Sequence, residues 1–169
     1  MMSSAVEQAV TTDEGRLGEL YARHVPDAVR LAFLLTGNRS LAEDLAQEAF
    51  VRMYGRFQDL RNPDAFPAYL RRTVVNLVNS HFRRVKVERA YLQREGQLVQ
   101  APVADPDDQR RVREALQRLP LRQRAAVVLR YYEDLPEAQT AEILRCRPGT
   151  VKSLLSRGLE ALRYELGEE

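Results

Sequence analysis

Apolar residues recur at intervals of three and four along almost the whole chain, and the rhythm fails once, across residues 93–109 (QREGQLVQAPVADPDDQ). Such spacing draws one apolar stripe down a helix, whereas a half-buried strand needs alternation. No strand-like alternation of useful length occurs. The interrupting segment gathers Gly, Pro and Asp and reads as a linker. The sequence therefore predicts an all-α protein of two small helical bundles joined by a flexible linker. Its expected parts are a disordered tail over 1–15, a first bundle over 16–86, a linker over 87–109 and a second bundle over 110–166.

Within the first bundle, Leu17, Leu20, Tyr21, His24, Ala28, Leu31, Ala32 and Leu35 form one buried stripe, and Gly37-Asn38 stops that helix. Ser40 with Glu43 has the pattern of a capping box opening a second helix over 41–55, with Leu41, Leu45, Ala49 and Met53 inward. Asn62-Pro63-Asp64 announces a third helix running to about Val85, with Asp64 as its cap and Pro67 tolerated in its first turn. In the second bundle, Asp105-Pro106 starts a helix carrying Val112, Ala115, Leu116 and Leu119 inward. Pro120 separates it from the apolar stretch Ala125 to Tyr132, and two further helices follow Asp134-Leu135-Pro136.

Several classes of function are poorly supplied. One cysteine and two histidines rule out a disulfide framework and argue against a zinc cluster. Neither histidine has a Ser, Cys or Asp partner nearby in sequence, and no glycine-rich phosphate loop is present. No apolar run approaches the roughly 20 residues that cross a bilayer, and the start MMSSAVEQAVTTDEG lacks the basic and apolar parts of a secretory leader. These features predict a cytosolic, non-enzymatic protein without metal or cofactor. His24 falls on a packing stripe, and Cys146 reads as a small residue filling a helix corner.

Charge is informative through its distribution. The net charge is only +2, but residues 1–15 carry −3, 16–86 carry +5, 87–109 carry −3 and 110–169 carry +3. All but two of the 26 basic residues are arginine, the exceptions being Lys86 and Lys152. Arginine's planar fork suits phosphates and base edges.

The third helix carries four arginines and no acid between Phe66 and Arg84. At about 100° per residue, Arg72, Asn76, Asn79 and Arg83 fall on one narrow stripe with Tyr69 at its edge. Phe66, Leu70, Val74, Leu77 and His81 take the opposite side. Arg and Asn pair with base edges and an aromatic stacks on an unpaired base. A merely solvated polar face is the alternative, although asparagine is a poor helix former. In the second helix, Asp44, Gln47 and Glu48 share a face that would repel phosphate and suit a basic protein partner.

Residues 136–144 and 149–163, separated by a four-residue turn, have helix-turn-helix proportions, with the small Ala141 where the helices cross. Val151, Leu155, Leu159 and Leu162 form the packing stripe. Thr150, Ser153 and Arg157 point the other way, flanked by Lys152 and Ser156. Hydroxyls, Lys and Arg at the start of such a helix suit entry into the major groove. A helical hairpin without DNA is the alternative.

Taken in order, three segments resemble an extracytoplasmic-function sigma factor of bacterial RNA polymerase, a reduced sigma-70 type holding only regions 2 and 4. AEDLAQEAFVRMY is similar to the clamp-binding part of region 2. NPDAFPAYLRRTVVNLVNSHFRR is similar to the segment that recognises and melts the −10 element. LPLRQRAAVVLRYYEDLPEAQTAEILRCRPGTVKSLLSRGLEALR is similar to region 4, which reads the −35 element and leans on the polymerase flap. The resemblance implies a clamp contact through Asp44, Gln47, Glu48 and Phe50. It implies capture of the melted strand by the loop Gln58 to Asp64 with Arg72, Asn76 and Asn79, and reading of the −35 duplex by Thr150, Lys152, Ser153, Ser156 and Arg157. Core RNA polymerase and promoter DNA are the implied partners, and family habit adds an anti-sigma factor.

Three positions depart from the family pattern. Arg145 stands where Gly is common, Arg147 where a capping Ser is common, and Leu154 where an arginine is frequent. Pro148 offsets the missing cap by presetting the first helical turn. The alternative is a helix-turn-helix regulator of the response-regulator type. It requires a receiver domain of alternating strands and helices, which residues 1–86 do not offer.

Overall fold

The computed structural model describes residues 2–57, 62–92 and 106–168. Among these residues lie seven α-helices and no strand: α1 (Met2–Thr36), α2 (Arg39–Phe57), α3 (Phe66–Leu92), α4 (Asp107–Arg118), α5 (Leu121–Val127), α6 (Glu137–Leu144) and α7 (Pro148–Leu166). A 3₁₀ turn, Pro63–Ala65, precedes α3, and a π-helical turn, Val128–Tyr132, continues α5. The expected linker residues 93–105 and the loop residues 58–61 lie outside the described residues.

Local chemistry accounts for the helix ends and corrects several expectations. Gly37 closes α1 at φ 67°, its N–H donating to the Phe33 carbonyl at 2.7 Å. The cap of α2 is Asn38, not Ser40: its side-chain oxygen accepts from the Leu41 N–H at 3.0 Å. Glu43 pairs with Arg39 at 3.2 Å instead of closing a capping box. Asn62 likewise displaces Asp64, accepting the Asp64 N–H at 3.0 Å to hold the short turn before α3. α1 is helical from Met2, where a disordered tail is expected, because no Gly or Pro interrupts residues 2–14. α3 runs on to Leu92, past the expected end near Val85. Its last turns are exposed and continue on helix-forming Lys, Glu, Arg and Ala after the packing stripe has ended.

α1, α2 and α3 pack through Leu31, Leu35, Leu45, Ala49, Phe66, Leu70 and Val74, and α4 to α7 through Leu116, Leu119, Ala125, Leu129, Ala141, Val151 and Leu155. These two sets belong to one continuous core. The C-terminal end of α1 is where they join. The last carbonyls of a helix have no intrahelical donors, and α1 has no basic residue in its last turn. The second module supplies both. Gln117 Nε2 donates to the Leu34 carbonyl at 2.8 Å, and Arg124 donates to the Leu35 carbonyl.

The same Arg124 guanidinium reaches the carbonyls of Leu116 at 2.8 Å, Gln117 at 2.8 Å and Leu119 at 3.0 Å, and Gln117 Oε1 at 2.9 Å. It therefore ties the C-terminal ends of α1 and α4 together. Burial pushes it down to about 10, so it remains charged at neutral pH. Arg71 and Glu133 form a second tie at 2.8 Å, and Arg113 sits 5.0 Å from the Phe33 ring centre.

Candidate nucleic-acid and polymerase-binding surfaces

On α3 the polar stripe forms as the spacing predicts. Tyr69, Arg72 and Arg83 are exposed, and Asn76 and Asn79 are half-buried beside them. Phe66, Leu70, Val74 and Leu77 are buried on the other side, joined by Val75 and Val78, so the buried face is wider than expected. His81 is half-buried, edge-on to Phe82 at 5.5 Å. Thr73, between the two faces, donates to the Tyr69 carbonyl at 2.8 Å. Arg71 lies off the stripe and is used by Glu133.

On α2, Asp44 and Gln47 are exposed, and Glu48 is half-buried and pairs with Arg52 at 2.6 Å. Phe50 is a correction. It is 5 % exposed, edge-on to Tyr21 at 4.9 Å and to Phe66 at 5.8 Å, so it orients α2 from beneath and offers nothing to a partner. Sequence reasoning missed Val51, which is 69 % exposed. It falls about 20° from Asp44 around the helix, and Tyr54 lies at the edge of the same face. An apolar residue amid carboxylates is the signal that could have found it.

In the second module, Val112 is exposed against expectation, because α4 turns Ala115 and Leu116 inward and leaves the preceding turn uncovered. The helix-turn-helix takes the expected form. Ala141 is buried at the crossing, and Cys146 fills the corner. Arg145 ends α6 at φ 51°, the conformation a glycine would adopt freely, with its N–H on the Glu142 carbonyl at 3.2 Å and that of Cys146 on Ala141 at 3.0 Å. Arg147 occupies the cap position of α7 without a side-chain cap bond, and Pro148 opens the helix.

Val151 and Leu155 are buried. Leu159 and Leu162 are half-buried, and Leu154 leans on the core. Thr150, Lys152, Ser153, Ser156 and Arg157 are all exposed on the outer face. Gly158 lets α7 approach α5 closely, for a Cβ there would meet Val127 Cγ2 at 2.9 Å.

Among the described residues no group of three His, Cys, Asp or Glu could hold a metal ion. His24 is half-buried with its ring 5.4 Å from that of Phe66. No described helix is long and apolar enough to cross a membrane.

Two modules, each with a polar helix face opposite its core and one of them a helix-turn-helix, have the layout of a two-site DNA-binding transcription protein. Comparison with known proteins makes this specific. The chain matches the sigma-70 region 2 model over residues 20–87 and the sigma-70 region 4 model over 109–162. It is 35 % identical over 164 residues to the RNA polymerase sigma-E factor of Streptomyces coelicolor, covering 95 % of this chain and 85 % of that one. It is 28 % identical to the extracytoplasmic-function sigma factor SigW of Bacillus subtilis, covering 98 % and 97 %. The chain belongs to the extracytoplasmic-function sigma factors of the sigma-70 family, with regions 2 and 4.

Solved structures agree on the fold. The sigma factor RpoE of Bartonella quintana, in complex with the anti-sigma factor NepR, aligns with TM-score 0.74 at 22 % identity over 89 % of this chain and 96 % of that chain. CnrH, in complex with the cytosolic domain of CnrY, aligns with TM-score 0.66 at 22 % identity over 96 % and 95 %. A response-regulator architecture is not favoured, since region 2 occupies the place of a receiver domain.

Proposed function

We propose that this chain binds core RNA polymerase through the α2 face of Asp44, Gln47, Glu48 and Val51, and carries it to promoters in the cytoplasm as a non-catalytic subunit. α7 reads the −35 duplex through Thr150, Lys152, Ser153, Ser156 and Arg157. α3 captures the unpaired −10 strand through Tyr69, Arg72, Asn76, Asn79 and Arg83. Opening needs no nucleotide hydrolysis. A surface that binds an unstacked strand better than duplex shifts the population toward the open state.

The observation that carries this reading is the acid-free α3 stripe, exposed or half-buried opposite the helix's buried side. The packed arrangement adds a requirement. The −35 and −10 elements lie about 25 base pairs apart, or about 85 Å along the duplex. A compact chain of this length has a radius of gyration of about 15 Å. The modules must part before both elements are held. The solved complex of RpoE with the anti-sigma factor NepR supports an anti-sigma factor as the occupant of the unparted form.

The test is transcription in vitro with purified core polymerase over a genomic promoter library. Start-site-specific initiation dependent on this chain is expected. Absence of initiation together with absence of polymerase binding would remove the reading. Reversing both charges at Asp44 and Glu48 should abolish co-purification with polymerase while leaving helical circular dichroism intact.

A further inference from the structure

Where the helix-turn-helix corner meets the first module there is an open cleft of about 470 Å³, within the range that accepts small ligands. Three arginines line it from three elements: Arg56 of α2, Arg72 of α3 and Arg145 of the α6–α7 turn. No carboxylate lines it. Among the described residues none of the three side chains has a hydrogen-bond or ion-pair partner, although the chain has nearly as many acids as bases. Tyr69, Thr73 and Asn76 complete the wall. Like charges gathered without counter-charge repel one another unless an anion joins them.

The backbone points the same way. Arg145 holds φ 51°, where glycine would fit without strain. The local turn needs no arginine there, and Arg145 lines the cleft.

We propose that this cleft binds a small phosphate-rich anion, with a nucleoside polyphosphate the best fit. The three guanidiniums would take the phosphates, Tyr69 would stack on a base and Asn76 would meet its edge. A melted DNA strand is a poorer fit. Arg145 and the α3 stripe meet only while the modules are packed, and promoter binding at both elements requires them apart. A bound anion would bridge the modules and hold them together, so it would oppose promoter engagement. Anion binding of this kind depends on the packed arrangement and on no step of promoter recognition. It is therefore tested on the chain alone, and its failure would leave the outcome of the transcription assay untouched.

Titration calorimetry of the full chain with ATP, inorganic pyrophosphate and adenosine provides the test. ATP and pyrophosphate should bind with Kd below about 1 mM, and adenosine should not. Inorganic tripolyphosphate matches the phosphates of ATP and isolates the base: tighter binding of ATP than of tripolyphosphate would assign the base to Tyr69, and equal binding would assign recognition to the phosphates alone. Arg145→Gly should weaken binding about tenfold or more, the loss of one charge-assisted contact, without lowering the melting temperature, since glycine suits the turn. Arg56→Ala should weaken it comparably. The proposal is overturned if neither phosphate compound binds, if adenosine alone binds, or if both variants bind like the parent. It is also overturned if a single-stranded oligonucleotide binds the parent tightly and loses the same factor in Arg145→Gly, which would make the cleft part of the DNA path.

Discussion

Arg71 of α3 and Glu133, 62 residues further along the chain, close a 2.8 Å ion pair across the seam between the two modules, with side chains only 22 % and 14 % exposed. A pair this sheltered is screened less than a surface contact. A double-mutant cycle on Arg71→Ala and Glu133→Ala should return a coupling of about 1–2 kcal/mol. Small-angle scattering should show a larger radius of gyration for each single variant. An unchanged radius in both would mean that the apolar part of the seam holds the modules unaided.

Arg124 is the heavier tie. Its five acceptors include the ends of two helices. Arg124→Met should cost about 3 kcal/mol or more, because buried carbonyls lose their donor. Arg124→Lys should rescue little, since one ammonium cannot reproduce a forked set of contacts. Urea midpoints of the three proteins check both statements.

Asn76→Ala with Asn79→Ala should impair strand opening more than initial promoter binding. A lost base contact costs about 1–3 kcal/mol, felt only once the strand is unpaired. Permanganate footprinting against gel retardation separates the two effects. Equal losses would remove these residues from the handling of melted DNA.

Stability should depend on pH through His24. Burial, then neighbouring Arg23, hold its imidazole below the ordinary value, against a smaller opposing pull from Asp27. Between the lowered and the ordinary value, the unfolded chain binds more protons than the folded one. The contribution is therefore complete above the ordinary imidazole value and is lost as pH falls through the lowered one. His24→Gln should flatten the change in urea midpoint between mildly alkaline and mildly acidic buffer. An unaltered slope would assign the effect elsewhere.

The helices and their outward faces were legible because packing within one module follows a local period. Leu45, Ala49, Val74, Val151 and Leu155 are buried where the spacing puts them. Caps were less legible: Asn38 and Ser40 both have side chains that can cap, and backbone geometry decided for Asn38. Phe50 and Val51 show a different difficulty, since adjacent apolar residues on one helix face opposite fates and only the neighbouring α1 and α3 settle which is covered. The seam was not legible at all. Arg124 and Leu35 are 89 residues apart, and an arginine that caps a distant helix looks the same in sequence as one that waits for DNA.

The π-helical turn at Val128–Tyr132 has a consequence for Glu133. The Glu133 N–H reaches back to the Val128 carbonyl at 3.0 Å, so one extra residue is accommodated in that turn. Tyr131 and Tyr132 are thereby left facing outward, and the next carboxylate meets Arg71. Deleting one residue here would let the same two groups bond at the ordinary helical separation, so that carboxylate would keep its aim at Arg71 while the turn lost its bulge. The turn thus works as local slack: a change of length by a single codon is taken up inside it, and the alignment of one half with the other is spared.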